Sequence, residues 1–493
     1  MSIAAKYILY AFSATLIGGI LGVIIGSKFL PYVIMVAYGM LYSNVQYTLL
    51  PLHWELCITA ISLAMLCTVG AAYFACYKEL RSTPAALMRP PVPKQGKRVF
   101  LENFPGIWNK LNFSTKATIR NLIRYKKRFF MTVFGIGGCM AILLACFGLR
   151  DSISVIAKKQ YQNVWTYSAA LGIDEDVSAQ EQNELLASML AQNADVESGL
   201  FARYVSVDVS SAMCEKSVHL YVIPDTENLH TYLNLHDRET QTTLELSDNG
   251  VVLSEKLANM LGVGPGDTFS YHVSSTNKKD VTVLGLAENY TGHCLYMTAA
   301  QFESLYGHAP LYNILYLEFA EGMVSARQQE LASQMLTNDA VTSVTLVKDS
   351  TASLNDMVSS LNMVVWVMIV ASGLLAFVVL FNLNNINISE RRRELATLKV
   401  LGFYDKEVAM YVYRENIILT IFGIGLGLIM GSFLHRYLVS TLEVDLIMFG
   451  RSIEPISFVS SIVLTALFAL LVNIAMYYKL QEIDMIESLK SVE

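Results

Sequence analysis

The stretch Thr420-Ile421-Phe422-Gly423-Ile424-Gly425-Leu426-Gly427-Leu428-Ile429-Met430-Gly431-Ser432 carries no charge and sits inside an uncharged run from Asn416 to Leu434. Such a run is close to the roughly 20 apolar residues a helix needs to cross a bilayer. Gly427 and Gly431 are spaced to let two membrane helices approach closely. The same pattern stands near the other end of the chain. Thr15-Leu16-Ile17-Gly18-Gly19-Ile20-Leu21-Gly22-Val23-Ile24-Ile25-Gly26-Ser27 matches it in the leading Thr, in Gly18, Gly22 and Gly26, and in the closing Gly-Ser. Further on, Tyr77-Lys78 aligns with Tyr478-Lys479, and Thr83 to Arg89 aligns with Asp484 to Lys490. Residues 1–90 therefore read as a copy of about 405–493. Glycine is common in membrane helices, but recurrence at equivalent positions assigns Gly22, Gly26, Gly427 and Gly431 to helix packing.

Composition agrees with this reading. Of 493 residues 53% are hydrophobic and only 16% charged, against about 25% charged in soluble domains. Six apolar runs are long enough to span: Tyr7–Ser27, Leu56–Tyr77, Phe129–Leu149, Val364–Leu383, Asn416–Leu434 and Ile456–Tyr478. The first is longer than the hydrophobic part of a signal peptide and lacks a good cleavage site after it, so it reads as an uncleaved span. Lys and Arg crowd into Lys78–Arg128, which places that segment on the cytoplasmic side. Alternation then puts both termini and Ser389–Arg414 inside, and it puts the short connections 28–55 and 435–455 outside together with Arg150–Asp356. The expected fold class is a membrane α-helical protein, with six transmembrane helices and one large α+β extracytoplasmic domain.

The domains follow: a two-helix hairpin (1–90), a basic cytoplasmic linker (91–128), a span (129–149), the external domain (150–358), and a three-helix region (359–493) with a cytoplasmic segment at 388–403. In the external domain, residues 203–209 and 216–222 alternate as strands, and 341–347 is strand-like. Ala179–Asn193 and Ser325–Leu336 carry helical spacing.

Catalytic and metal classes find no support. The eight histidines show no metal-binding spacing such as H-E-x-x-H, so no metal site and no catalytic residue is assigned. Gly262-Val263-Gly264-Pro265-Gly266 follows a helical stretch and contains Pro, so it reads as a helix-ending turn and not as a phosphate loop. A net charge of −6 with no basic, aromatic-rich arm argues against nucleic acid. Five cysteines lie in the spans. Cys214 and Cys294 lie in the external domain, where they form a possible disulfide or two unpaired thiols. Asn289-Tyr290-Thr291 fits a glycosylation sequon, a pattern frequent by chance. The spans are nearly free of ionisable residues, which argues against an ion-coupled transporter.

Ile388-Ser389-Glu390-Arg391-Arg392-Arg393-Glu394-Leu395-Ala396-Thr397-Leu398-Lys399-Val400-Leu401-Gly402-Phe403 places three leucines on one helical stripe and ends on a glycine. Three consecutive arginines exceed what orientation requires, which points to a docking surface for another protein. This segment resembles the cytoplasmic signature of the FtsX-like and MacB-like permeases, and Asn121–Arg128 and Val251–Asp267 resemble two further stretches of that family. The resemblance covers 115–493 as one complete unit and 1–90 as half of another. It implies the permease subunit of an ABC transport system in a bacterial plasma membrane, multi-pass, not an enzyme and without its own cofactor. Glu390, Arg391, Arg392, Arg393, Glu394, Leu395, Leu398, Leu401 and Gly402 would then couple to a separate ABC ATPase. No G-x-x-x-x-G-K-[ST] occurs, so ATP would be bound by that partner. Movement of the external domain would act on a lipoprotein, a peptide or a hydrophobic antibiotic. The alternative is a non-transporting signal relay controlling an extracellular hydrolase or a sensor kinase. Besides membrane lipids, the half repeat calls for a second permease unit, from an upstream chain or a homodimer.

Overall fold

The computed structural model describes residues 2–41, 53–80, 126–273, 277–390 and 392–481, with the isolated positions 109, 116 and 120. Most of the basic linker, residues 42–52 of the connection expected outside and the C-terminal residues 482–493 fall outside the described residues. The chain divides into two compact units: 1–147, 363–434 and 455–493 in one, and 148–362 with 435–454 in the other. The second unit is the anticipated α+β domain with an addition, because residues 435–454 belong to it.

The first unit is helical. Its elements are α1 (Ser2–Leu41), α2 (Trp54–Leu80), α3 (Lys126–Ser154, which runs on into the second unit), the later part of α10 (Val347–Glu390), α11 (Arg392–Val400), most of α12 (Asp405–Leu442) and α13 (Pro455–Gln481). Among the described residues six helices are apolar and long enough to cross a membrane, beginning with Ala4–Phe29 and ending with Pro455–Tyr478. A buried apolar cluster joins four of them to α11 through Val133 and Ile136 of α3, Leu380 and Ile388 of α10, Leu395 of α11, Val412 and Leu419 of α12, and Val472 and Met476 of α13.

The second unit holds two sheets that share the 15-residue strand β2. Its strands are β1 (Ala169–Ile173), β2 (Val196–Ser210), β3 (Glu215–Ile223), β4 (Val251–Ser254), β5 (Thr268–His272), β6 (Lys278–Ala287), β7 (Cys294–Thr298), β8 (Ile314–Phe319) and β9 (Val341–Leu346). The second half of β2 pairs with β3, and the order β3-β7-β4-β6-β5 returns to β2, closing a six-stranded barrel. Closure removes exposed sheet edges. Val209, Leu220, Val251, Leu253, Tyr271, Val283 and Leu295 fill one core there. The first half of β2 pairs with β8, followed by β1 and β9.

Two helices cover this open sheet, α5 (Ala179–Gln192) and α9 (Ser325–Met335), with Leu185, Met189 and Met335 in its core. Helix α5 starts on a capping box in which Ser178 and Glu181 bond each other's backbone N–H groups, at 3.4 and 2.9 Å. The shorter helical elements of this unit are α4 (Ile156–Lys159), a π-helical turn (Gln160–Val164), α6 (Leu229–Tyr232), α7 (Glu255–Leu261) and α8 (Ala299–Tyr306). Gly262 ends α7 at φ +69, so the glycine run is the turn before β5 that its Pro and spacing suggest.

Candidate functional site

Each unit holds one candidate site. In the helical unit the segment 388–403 contains α11, and Gly402 follows it at φ +95, a left-handed conformation that a side chain would strain. The N–H of Gly402 bonds Lys399 O at 3.1 Å and that of Phe403 bonds Leu398 O at 3.2 Å, which satisfies the last carbonyls of the helix. The Lys399 ammonium also reaches Asp405 at 2.9 Å, fastening α11 to the start of α12.

The leucine stripe requires a correction. Leu395 is fully buried in the bundle core and Leu398 packs against that core, so neither is presented to a partner. Leu401 alone of the three is exposed, in a tip it shares with Val400, Phe403 and Tyr404. A 3.6-residue period identifies one apolar face but does not say whether that face turns to the chain's own core or to another protein. Residue 391 and the side chains of Glu390, Arg392, Arg393 and Glu394 lie outside the described residues.

The glycines also divide. Cβ atoms at Gly427 and Gly431 would fall 2.5 Å from Met140 Cβ and 2.9 Å from Leu144 Cδ2, so α12 lies against α3 with no room for a side chain. A Cβ at Gly22 or Gly26 would meet nothing beyond its own helix within 4 Å among the described residues. The glycine of α1 that meets α2 is Gly19, where a Cβ would fall 3.2 Å from Ile61 Cγ1.

The second place is the turn between α12 and α13, which the sequence shows only as a short external connection. Ile447 pairs with Thr291 as an isolated antiparallel bridge. The N–H of Gly292 donates to Leu446 O at 2.8 Å, and that of Met448 donates to Tyr290 O at 2.9 Å. Met448 and Phe449 are buried. Lys216 grips Asp445 at 2.9 Å, while Lys256 donates to Ile447 O at 2.7 Å, hydrogen-bonds Val444 O and lies 4.0 Å from Glu443. Glu443 in turn binds Arg451 at 3.1 Å and the N–H of Phe449 at 2.6 Å. Gly450 N–H bonds Ser152 O at 2.9 Å, and Ser152 Oγ lies 2.9 Å from His435 Nε2. The local sequence signal for this docking is the apolar run Leu446-Ile447-Met448-Phe449 within the connection.

Charge tuning follows the packing. Burial pushes the Lys256 ammonium below the ordinary lysine range, with Glu443 and Asp445 pulling the other way. The hydrogen bond from Lys216 holds Asp445 below the usual carboxylate range. Burial lowers His293, whose Nε2 lies 3.6 Å from Asp445, and the nearby ammonium groups of Lys216 and Lys256 lower it further.

Next to the segment 290–292 that receives the loop lies a largely buried ionic knot. Glu288 accepts from His236 Nε2 at 2.7 Å and from Lys159 at 3.2 Å, and it also hydrogen-bonds the Tyr290 hydroxyl. Burial would raise this carboxyl, but His236, Tyr290 and Lys159 together hold it down to about 2. The bond to Glu288 raises His236 in return. Gln160 completes the knot by donating to Asn289 Oδ1 at 3.0 Å and accepting from Tyr290 N–H at 2.7 Å.

Two sequence features find their place here. Asn289 is buried and donates to Thr291 O at 2.7 Å, so its sequon is closed in the folded domain. Cys214 and Cys294 are both free thiols. Cys214 contacts Met260 O at 3.3 Å in the turn after β2, whereas Cys294 is fully buried, and burial pushes its thiol up to about 12 against the hydrogen bonds of its neighbours.

Comparison with known proteins places the helical unit. No curated protein matches the chain. Among solved structures, the periplasmic region of MacB from Actinobacillus actinomycetemcomitans aligns at 12% identity over 39% of this chain and 94% of its own length, with a TM-score of 0.27. The extracellular domain of the ABC-type transporter YknZ from Gram-positive bacteria aligns at 12% identity over 36% of this chain and 98% of its own, with a TM-score of 0.25. A permease-protein domain from Porphyromonas gingivalis aligns at 14% identity over 35% and 85%, with a TM-score of 0.22. The family model described as the FtsX-like permease C-terminal domain matches residues 366–484, which take in the last three apolar helices and α11. This chain is therefore a membrane protein that carries an FtsX-like permease domain.

Proposed function

We propose that the chain is the membrane subunit of an ATP-driven permease in a bacterial plasma membrane, that a separate ABC ATPase binds it at 388–403 and the adjoining Tyr404, and that the sheet domain works outside the membrane on a lipoprotein, a peptide or a hydrophobic antibiotic. The observation that carries this reading is the family match over 366–484, because it includes α11 and its exposed tip. Helix α12 begins beside that tip and ends at the docked loop. At 1.5 Å per residue its 38 residues are about 57 Å long, enough to carry a tilt from one side of a bilayer to the other. A second permease unit, from another chain or a second copy, completes the ATPase contact.

The test is co-purification with the ATPase. Replacing Arg391, Arg392 and Arg393 with alanine, or Leu401 and Tyr404 with glutamate, is expected to reduce ATPase recovery while leaving membrane insertion intact. Unchanged recovery and unchanged ATPase stimulation for both variants would remove the docking role. Cysteine labelling fixes sidedness independently: a site near Asp237 is expected to react from outside intact cells and one near Lys110 is not.

A further inference from the structure

Four spans meet at a small polar cavity. Thr132 of α3, Asn384 of α10, Asn416 and Thr420 of α12 and Asn473 of α13 line it, with apolar side chains closing the remainder. Its volume is ≈ 10 Å³, counted as the space open to the centre of a water molecule. One water needs about 10–15 Å³ on that measure, together with two to four polar partners.

The lining groups supply those partners. Thr132 is 3% exposed, and its hydroxyl is buried with no hydrogen bond. Asn416 Nδ2 donates to Asn473 Oδ1 at 2.9 Å, which leaves the carbonyl oxygen of Asn416 and the amide N–H groups of Asn473 for another partner. Polar groups inside a bilayer must be satisfied from within the protein or by a trapped polar molecule. We infer that this cavity is a binding site for a single structural water that bridges Thr132 and the asparagines of the other three spans.

A metal cation is the poorer fit. No carboxylate lines the cavity to offset its charge, and an uncompensated ion in a low-dielectric interior is strongly disfavoured. A neutral water matches a mixed set of donors and acceptors. The inference rests on the six-span membrane reading and is independent of ATPase docking.

Pulsed X-ray hydroxyl-radical footprinting of the full chain in nanodiscs tests it, since radicals formed from a trapped water oxidise the side chains beside it. Ile136 and Leu419 line the cavity and are buried. Their labelling is expected to fall roughly fivefold in Thr132→Val combined with Asn384→Leu, which leaves a trapped water too few polar partners. Thr132→Ser, which keeps the hydroxyl, is expected to label as the parent does and serves as the folded control should the double variant be unstable. Equal labelling of parent and double variant, or a loss of labelling in Thr132→Ser, overturns the proposal. So does labelling or thermal stability that depends on sodium or potassium against choline, which would make this a cation site.

Discussion

Two hairpins in this chain share a sequence pattern and differ in what surrounds them. Helices α1 and α2 pair with each other through Gly19 against Ile61 and through Thr15 and Thr68, whose hydroxyls lie 2.7 Å apart. In the most apolar stretch of each, no residue is buried. Helices α12 and α13 carry the matching pattern but pack into a core with α3 and α10, lock Gly427 and Gly431 against α3, and hold a loop bound by ion pairs and backbone hydrogen bonds. A small-residue face confers the capacity for close packing, and a neighbour of the right shape is needed to use it.

The largest effect should separate the two faces directly. Gly427→Leu would drive a side chain into Met140 and into the backbone carbonyl of Gly137, 2.9 Å from the Cβ position. It is expected to cost about 3 kcal/mol, the upper end for overpacking. Gly22→Leu, placed in open space, should stay within about 0.5 kcal/mol. Thermal unfolding in detergent would measure both, and equal losses would mean that the first hairpin packs as tightly as the second.

Acidity should come next, because the loop of the second hairpin pairs with residues 290–292 beside Glu288. Glu288 is depressed from 4.5 to about 2 when folded, so its stabilisation is complete above about 4.5 and is lost as pH falls toward 2. For a side chain only 2% exposed this amounts to something on the order of 2–3 kcal/mol. His236 has the opposite sign. Its raised folded value contributes below 6.5 and is lost as pH rises through that value. Hydrogen exchange in 444–450 is therefore expected to be slowest between about pH 4.5 and 6.5 after correction for intrinsic rates. A flat profile would show that the knot does not support the loop.

Glu443→Gln is a smaller lesion. It leaves Lys256 and Arg451 without their shared carboxylate, and because these groups are partly solvated the expected cost is about 1–2 kcal/mol. Faster exchange confined to 443–451 would confirm it, whereas global destabilisation would contradict a local anchor. Smallest of all, Thr15→Val removes an exposed hydrogen bond of the first hairpin and should change stability by less than about 0.5 kcal/mol. A larger loss would mean that this hairpin is held chiefly by that contact.

Much of this architecture is legible in the residues themselves. Spans are readable because each crosses the same apolar thickness and must satisfy its own backbone, so length and hydropathy suffice. Strands β2, β3 and β9, helices α5 and α9, and the stop at Gly402 are readable because alternation, helical spacing and glycine act within a few residues. The ion pairs from Lys216 and Lys256 to Asp445 and Glu443 were invisible, since they join residues 229 and about 187 positions apart, and no local pattern encodes such distances. Nor could a period tell that Leu395 faces the core while Leu401 faces outward. For this protein the sequence alone determined the membrane class, the six spans, the internal repeat and the α+β domain, because those depend on transfer of short segments between water and lipid. Tertiary structure alone decided which of two matching glycine faces is packed, that Cys214 and Cys294 are both free, and that the last loop is docked, because each depends on which distant surface comes within about 4 Å.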